Sequence, residues 1–149
     1  EEGDTACIGI FDNRVRKFDT LFAEAGILLP DATGTAASLS DAGTCSARQA
    51  DVPADAAILR PAGRLKIPHM GWNSVENLRS GLFTGIDQGA YVYYVHSFAP
   101  EVNADTIATT TYGVPFSAAI RKDNFYGTQF HPEKSAAIGA RILQNFLTL

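Results

Sequence analysis

With 149 residues, 46% of them apolar and 19% charged, the chain is long enough for one domain with its own hydrophobic core and has the balance of an ordinary globular protein. A net charge of -4 without any block of lysine or arginine excludes a nucleic-acid surface, which needs a clustered positive field. No apolar run is long enough to cross a bilayer, and the opening EEGDTACIGIF lacks the basic start and apolar middle of a secretory leader; no membrane contact is expected, and the expected compartment is the cytoplasm.

In chain order, ACIGIFDNRVRKF alternates apolar and polar residues around a turn-like DNR and predicts one or two short strands. Residues 20–29, TLFAEAGILL, predict a short helix that Pro30 stops. Residues from about 30 to 64 are dominated by Ala, Asp, Thr, Ser, Gly and Pro and hold too few large apolar side chains to offset the cost of ordering a backbone, so they predict a long loop or disordered insertion. KIPHMGWN follows as a predicted loop and SGLFTGIDQGA as a turn; YVYYVHSFAP, DTIATTTYG, FSAAIRKDN and FYGTQFHP then predict four strands. The first of these is aromatic and β-branched almost throughout, the composition of a central strand buried on both faces. The last element, SAAIGARILQNFLTL, predicts a helix with Ser135 as N-cap and a docking face of Ile138, Ile142, Leu143 and Phe146. The order of elements indicates an α/β fold in one domain spanning 1–149.

Two cysteines, Cys7 and Cys45, stand in unlike surroundings without C-x-x-C spacing, which favours reduced thiols over a disulfide framework or a zinc knuckle. The three histidines lack zinc-like spacing, and neither a metal nor an organic cofactor is expected. His69 alone reads as a hydrogen-bonded loop residue. The chain opens on Glu1 and its only methionine is Met70, which predicts a fragment or a processed product.

The chemistry concentrates in FYGTQFHPEKS. A residue before proline is pushed toward extended backbone, where positions i and i+2 share a side, so His131 and Glu133 are placed to face each other. That spacing suits a carboxylate orienting an imidazole, the second and third members of a nucleophile-base-orienter triad. On these three residues alone, a surface histidine beside an acid that favours the following helix N-terminus is the more economical reading.

The longer string YGTQFHPEKS resembles the C-terminal signature of class I glutamine amidotransferases. Together with EEGDTACIGIF, KIPHMGWN and YVYYVHSFAP it is similar to one branch of them, the glutaminase subunits of imidazole glycerol phosphate synthases in histidine biosynthesis. The resemblance covers nearly everything but the Ala-rich insertion. It implies a flavodoxin-like, doubly wound α/β fold with its N-terminal part missing, and an enzyme that hydrolyses glutamine to glutamate and ammonia and delivers the ammonia to a cyclase subunit in a heterodimer. By the same resemblance His131 is the catalytic base and Glu133 its orienter. His96, Ser97 and Phe98 match the segment that holds the glutamine backbone through main-chain groups, with Phe98 in place of a more usual tyrosine. Trp72, Asn73, Tyr93 and Lys134 match positions that face the cyclase and gate ammonia passage; for Trp72, simple core packing is an equal alternative.

The resemblance breaks at the nucleophile. The family's G-x-C-x-G elbow and the glycine-bearing loop of its oxyanion hole are not found in these residues. Cys7 has Gly9 at the right distance but Thr5 in place of the first glycine, and Cys45 falls within the insertion, so neither is expected to be the nucleophile. A chain without it is expected to be inactive alone. Two rivals follow: a noncatalytic remnant that binds the cyclase, and another class I amidotransferase serving anthranilate, carbamoyl phosphate or purine synthesis.

Overall fold

The computed structural model describes residues 10–27 and 65–149; the expected insertion at about 30–64, both cysteines and most of the possible strand before DNR lie outside them, and its last two residues, Ile10 and Phe11, form a bend. The first described strand, β1 (Val15–Lys17), runs directly into helix α1 (Phe18–Glu24). The helix ends before Pro30, because Gly26 takes the left-handed conformation (φ +69°). Its N–H and that of Ile27 turn back to the carbonyls of Ala23 (3.2 Å) and Phe22 (2.8 Å), satisfying the last-turn acceptors. Phe18 and Phe22, four residues apart on one face, are both fully buried, each contributing about 1.5–3 kcal/mol of apolar burial.

KIPHMGWN, expected as a loop, forms much of strand β2 (His69–Val75), paired antiparallel with β3 (Ala90–His96). The pattern hid the strand because its polarity is inverted. His69 and Asn73 point inward with Val75, whereas Met70 and Trp72 face outward, and a polar-inside strand has no ordinary periodicity signal. β3 is not buried on both faces. Val92, Tyr94 and His96 are buried, but Tyr91 is 61% exposed on the outer face, across from Ser74. The predicted YVYYVHSFAP strand breaks at Ser97 into β3 and β4 (Phe98–Pro100), and β4 leaves its neighbour to pair with β1.

Strands β5 (Thr106–Tyr112), β6 (Val114–Lys122) and β7 (Phe125–Thr128) form an antiparallel meander joined to β2 by a bridge between Glu76 and Thr109. Every ladder among the described residues is antiparallel. Helix α2 (Ala136–Phe146) closes the chain. It buries a narrower stripe than expected: Gly139 and Ile142 are inside and Ile138 is half-buried, while Leu143 and Phe146 are exposed. The Asn145 amide donates to the Leu82 and Thr84 carbonyls at 3.0 and 2.9 Å, tying α2 to the SGLFTG turn. The core is aromatic, with Phe18, Phe22, Tyr94, Phe116 and Phe130 between the meander, α1 and the inner face of β2 and β3.

Gly113 is the only residue between β5 and β6, has φ +71°, and faces Leu65, Phe22 and Ile27 so closely that an added Cβ would stand 2.6, 2.9 and 3.1 Å from their side chains. Gly113→Ala is expected to destabilise the fold by about 2–4 kcal/mol, strain and overpacking together. Urea unfolding of the two proteins checks this, and an unchanged midpoint refutes the packing assigned to this corner.

Candidate active site

His131 follows the buried Phe130 at the end of the β7 segment and has the extended backbone that a following proline demands (φ -97°, ψ 98°). Pro132–Lys134 then form a 3-10 turn, so it is a turn and not an extended stretch that brings Glu133 round to the histidine. His131 Nδ1 and Glu133 Oε1 are 2.8 Å apart. An ionised carboxylate only accepts, so Nδ1 carries the hydrogen and donates it, leaving Nε2 with a free lone pair. The Glu133 carboxyl is held below its ordinary range by its own backbone N–H first and by the His131 bond second. Both side chains are solvent-accessible, at 35% and 58%.

The turn is held from below by β3. The Tyr93 carbonyl accepts from His131 N–H at 2.9 Å, and the Tyr93 N–H donates to Ser135 Oγ at 3.0 Å. The same Ser135 hydroxyl donates to the His131 carbonyl at 2.7 Å. Ser135 stands at the N-cap position as expected, yet its side chain makes no capping bond; its hydroxyl, fully buried, is used to clamp the turn. Gly139 lets helix α2 approach. A Cβ there would lie 1.8 Å from the Pro132 carbonyl oxygen, well inside any tolerable contact. Neither role was legible beforehand, although a glycine inside an otherwise regular helix is a known signal of close approach.

The remaining candidates fall into two groups. On the outer face of the β2–β3 pair, Trp72 is 53% exposed and stands directly across from Tyr93, ring centroids 6.0 Å apart and edge to face. Core packing is thereby ruled out for Trp72. Lys134 is exposed in the turn that Tyr93 holds. Asn73 is not part of that outer face: its amide points inward, donating to the Thr111 carbonyl at 3.0 Å and lying 3.4 Å from His69 Nε2.

The second group lies at the end of β3. His69, 3% exposed and in a strand, bonds through Nδ1 to His96 Nε2 at 2.9 Å, and His96 Nδ1 lies 2.7 Å from the Phe98 carbonyl. Burial drives the His69 pKa down to about 3, with the neighbouring His96 adding to it. His96 is lowered by burial as well, against its bond to Phe98, and His131 pushes the same way, which puts the two candidate groups within electrostatic reach. The Ser97 carbonyl accepts from Phe18 N–H at 3.0 Å. Lys17 Nζ sits 5.5 Å above the Phe98 ring, beside an open cleft of about 270 Å³ lined by Lys17, Asp19, Ile67, Ser97 and Phe98. His131 and Glu133 do not line that cleft. Among the described residues no group of three His, Cys, Asp or Glu side chains is placed to hold a metal ion.

Two expectations follow. Because His69 and His96 bind protons less readily folded than unfolded, the unfolded state gains protons as pH falls below about 6.5, and stability is lost from there toward about 3, by up to about 1.4 kcal/mol per pH unit for His69. Urea midpoints at pH 7.5 and 5.0 check this above the carboxylate range; no fall would contradict the buried neutral pair. Gly139→Ala is expected to cost about 2–4 kcal/mol and to shift the His131 ring resonances, since the turn has to move away from the new methyl. Unmoved resonances at equal stability would refute the contact.

A family model described as glutamine amidotransferase class-I matches residues 34–149. The imidazole glycerol phosphate synthase subunit HisH of Escherichia coli strain K12 is 58% identical over 86 residues, covering 57% of this chain and 44% of that protein. The HisH subunit of Shigella flexneri matches to the same extent, and that of Salmonella typhimurium is 57% identical over 86 residues. The matched stretch spans less than half the length of these relatives. With FHPEKS inside the matched residues and its histidine and glutamate joined in one turn, the chain belongs to the class-I glutamine amidotransferase family, an α/β fold.

Proposed function

We propose that this chain supplies the base and orienter of a glutaminase, the glutamine-hydrolysing subunit of an imidazole glycerol phosphate synthase. The observation that carries the reading is the 2.8 Å bond from His131 Nδ1 to Glu133 within a turn clamped to β3. The bond sets the tautomer, so His131 Nε2 takes the proton of a cysteine thiol while the thiolate attacks the glutamine carboxamide carbon. As the tetrahedral adduct collapses, Nε2–H protonates the departing nitrogen and the C–N bond breaks, releasing ammonia and leaving a thioester. Water then attacks the thioester, giving its proton to His131, and glutamate leaves as the proton returns to sulfur.

Glutamine is held beside this pair by the main chain of Ser97 and Phe98, with His96 supporting them. The ammonia passes to a cyclase subunit docked on the outer face around Trp72 and Tyr93, with Lys134 at its margin and Asn73 bracing the strand from inside. The exposed Trp72 ring, set edge to face against the half-buried Tyr93, supports the docking, since tryptophan and tyrosine are enriched at protein interfaces. The chain forms one amidotransferase domain and works in the cytoplasm; no helix among the described residues is long and apolar enough to cross a membrane.

The test uses the protein encoded by its complete reading frame, assembled with the cyclase. His131→Ala is expected to lower glutamine-dependent turnover by at least about 1,000-fold, the scale of losing a triad member, while ammonia-fed turnover is spared. Retained glutamine hydrolysis overturns the role of His131. A wild-type protein that binds the cyclase without hydrolysing glutamine overturns the catalytic reading in favour of a docking module.

A further inference from the structure

The buried imidazole pair moves no proton in the chemistry above, but its His96 meets the segment proposed to hold substrate, and its His69 has so far no role there. The Phe98 carbonyl only accepts, so His96 Nδ1 must carry the hydrogen in their 2.7 Å bond. In a neutral imidazole, His96 Nε2 is then an acceptor, and the 2.9 Å bond to His69 requires His69 Nδ1–H to be the donor. His69 Nε2 is left as an acceptor, with the Asn73 amide donor 3.4 Å away. Every link runs one way, from Asn73 through two rings to Phe98, and a proton on the wrong nitrogen would set two acceptors or two donors against each other. The rings have little room to turn: His69 is stacked against Tyr112 and Tyr94 at 3.9 and 4.8 Å, and His96 packs on Phe18 and Phe116 at 5.2 and 5.1 Å.

The other side of Phe98 is held too, because the Ser97 carbonyl accepts from Phe18 N–H. That bond and the one from Glu101 N–H to the Arg14 carbonyl fix the alternation of the β1–β4 ladder. Lys17 and Phe98 are therefore a pair that exchanges no hydrogen bond, and the Phe98 N–H turns away from β1. Among the described residues it has no partner. A main-chain donor with both flanking peptide planes pinned and no acceptor among the described residues is open to a ligand oxygen.

We propose that His69 and His96 are positioning residues: their one-way relay fixes the Phe98 main chain, which the family resemblance already assigns to holding glutamine, in the orientation that leaves its N–H open to the α-carboxylate. This rests on the glutaminase reading for the identity of the ligand. Burial, which keeps both rings neutral, maintains the proton arrangement the relay needs.

The test has an arm that does not depend on activity. In the ¹⁵N-labelled protein from the complete reading frame, His69 and His96 are both expected as Nδ1–H tautomers, and glutamine is expected to shift the Phe98 amide. An Nε2–H tautomer at His96, or a Phe98 amide unmoved by saturating glutamine, overturns the proposal whether or not His131 proves catalytic. In kinetics, His69→Leu removes the donor to His96 and is expected to raise KM for glutamine about tenfold, the scale of one hydrogen bond, with kcat for ammonia-fed turnover unchanged. His69→Asn keeps a side-chain N–H near the Nδ1 position and is expected to restore most of that loss. Equal KM changes in the two variants overturn the proposal, and where His69→Leu fails to fold, the tautomer and titration results decide it.

Discussion

The His131–Glu133 turn belongs to no sheet ladder of its own, and its place depends on the main chain of one residue, Tyr93. Both polar backbone groups of Tyr93 are directed away from β2 and into the turn, one to His131 and one to Ser135. A backbone N–H or carbonyl left unmade in a half-buried place costs roughly 1–3 kcal/mol, so β3 and the turn hold each other in register. The Ser135 hydroxyl closes the arrangement by accepting from one strand and donating to the other segment, and the bare face of Gly139 lets α2 press the turn from behind.

Strand β3 thereby serves three surfaces at once, because its side chains alternate while its backbone edges face opposite ways. Outward it presents Tyr91 and Tyr93 beside Trp72; inward it buries Tyr94 and His96; along its other edge it carries the His131–Glu133 turn. The inner face is polar for a core. Tyr94 donates to Thr110 at 2.6 Å and Thr110 to the Ser74 carbonyl at 2.7 Å, while the two histidines run to Phe98. Each group in these chains is matched by a partner, which is the condition under which buried polarity specifies an arrangement instead of merely weakening it.

Much of this was legible in the sequence where composition and local rules agree. The strands of the meander and the C-terminal helix lie close to where their β-branched and helical patterns put them, and the extended backbone at His131 follows from Pro132. Gly26, not Pro30, ends the first helix, since a left-handed glycine satisfies the last carbonyls before the chain reaches the proline. β2 was missed because its inward positions hold His69 and Asn73, whose partners lie on other strands and are invisible to any window along the chain.

The order of residues by itself determined the types of chemistry available: an imidazole and a carboxylate two positions apart around a proline, and an aromatic strand beside an exposed tryptophan. Tertiary structure alone decided what those groups do. It turned the backbone at Pro132 so that Glu133 meets Nδ1, spent the Ser135 hydroxyl on the turn instead of the helix cap, and set Asn73 inside while Trp72 stayed out. The reason is physical. Propensities and spacings fix φ, ψ and which side of an element a residue occupies, whereas a hydrogen bond between residues 27 or 42 positions apart exists only once separate elements have packed.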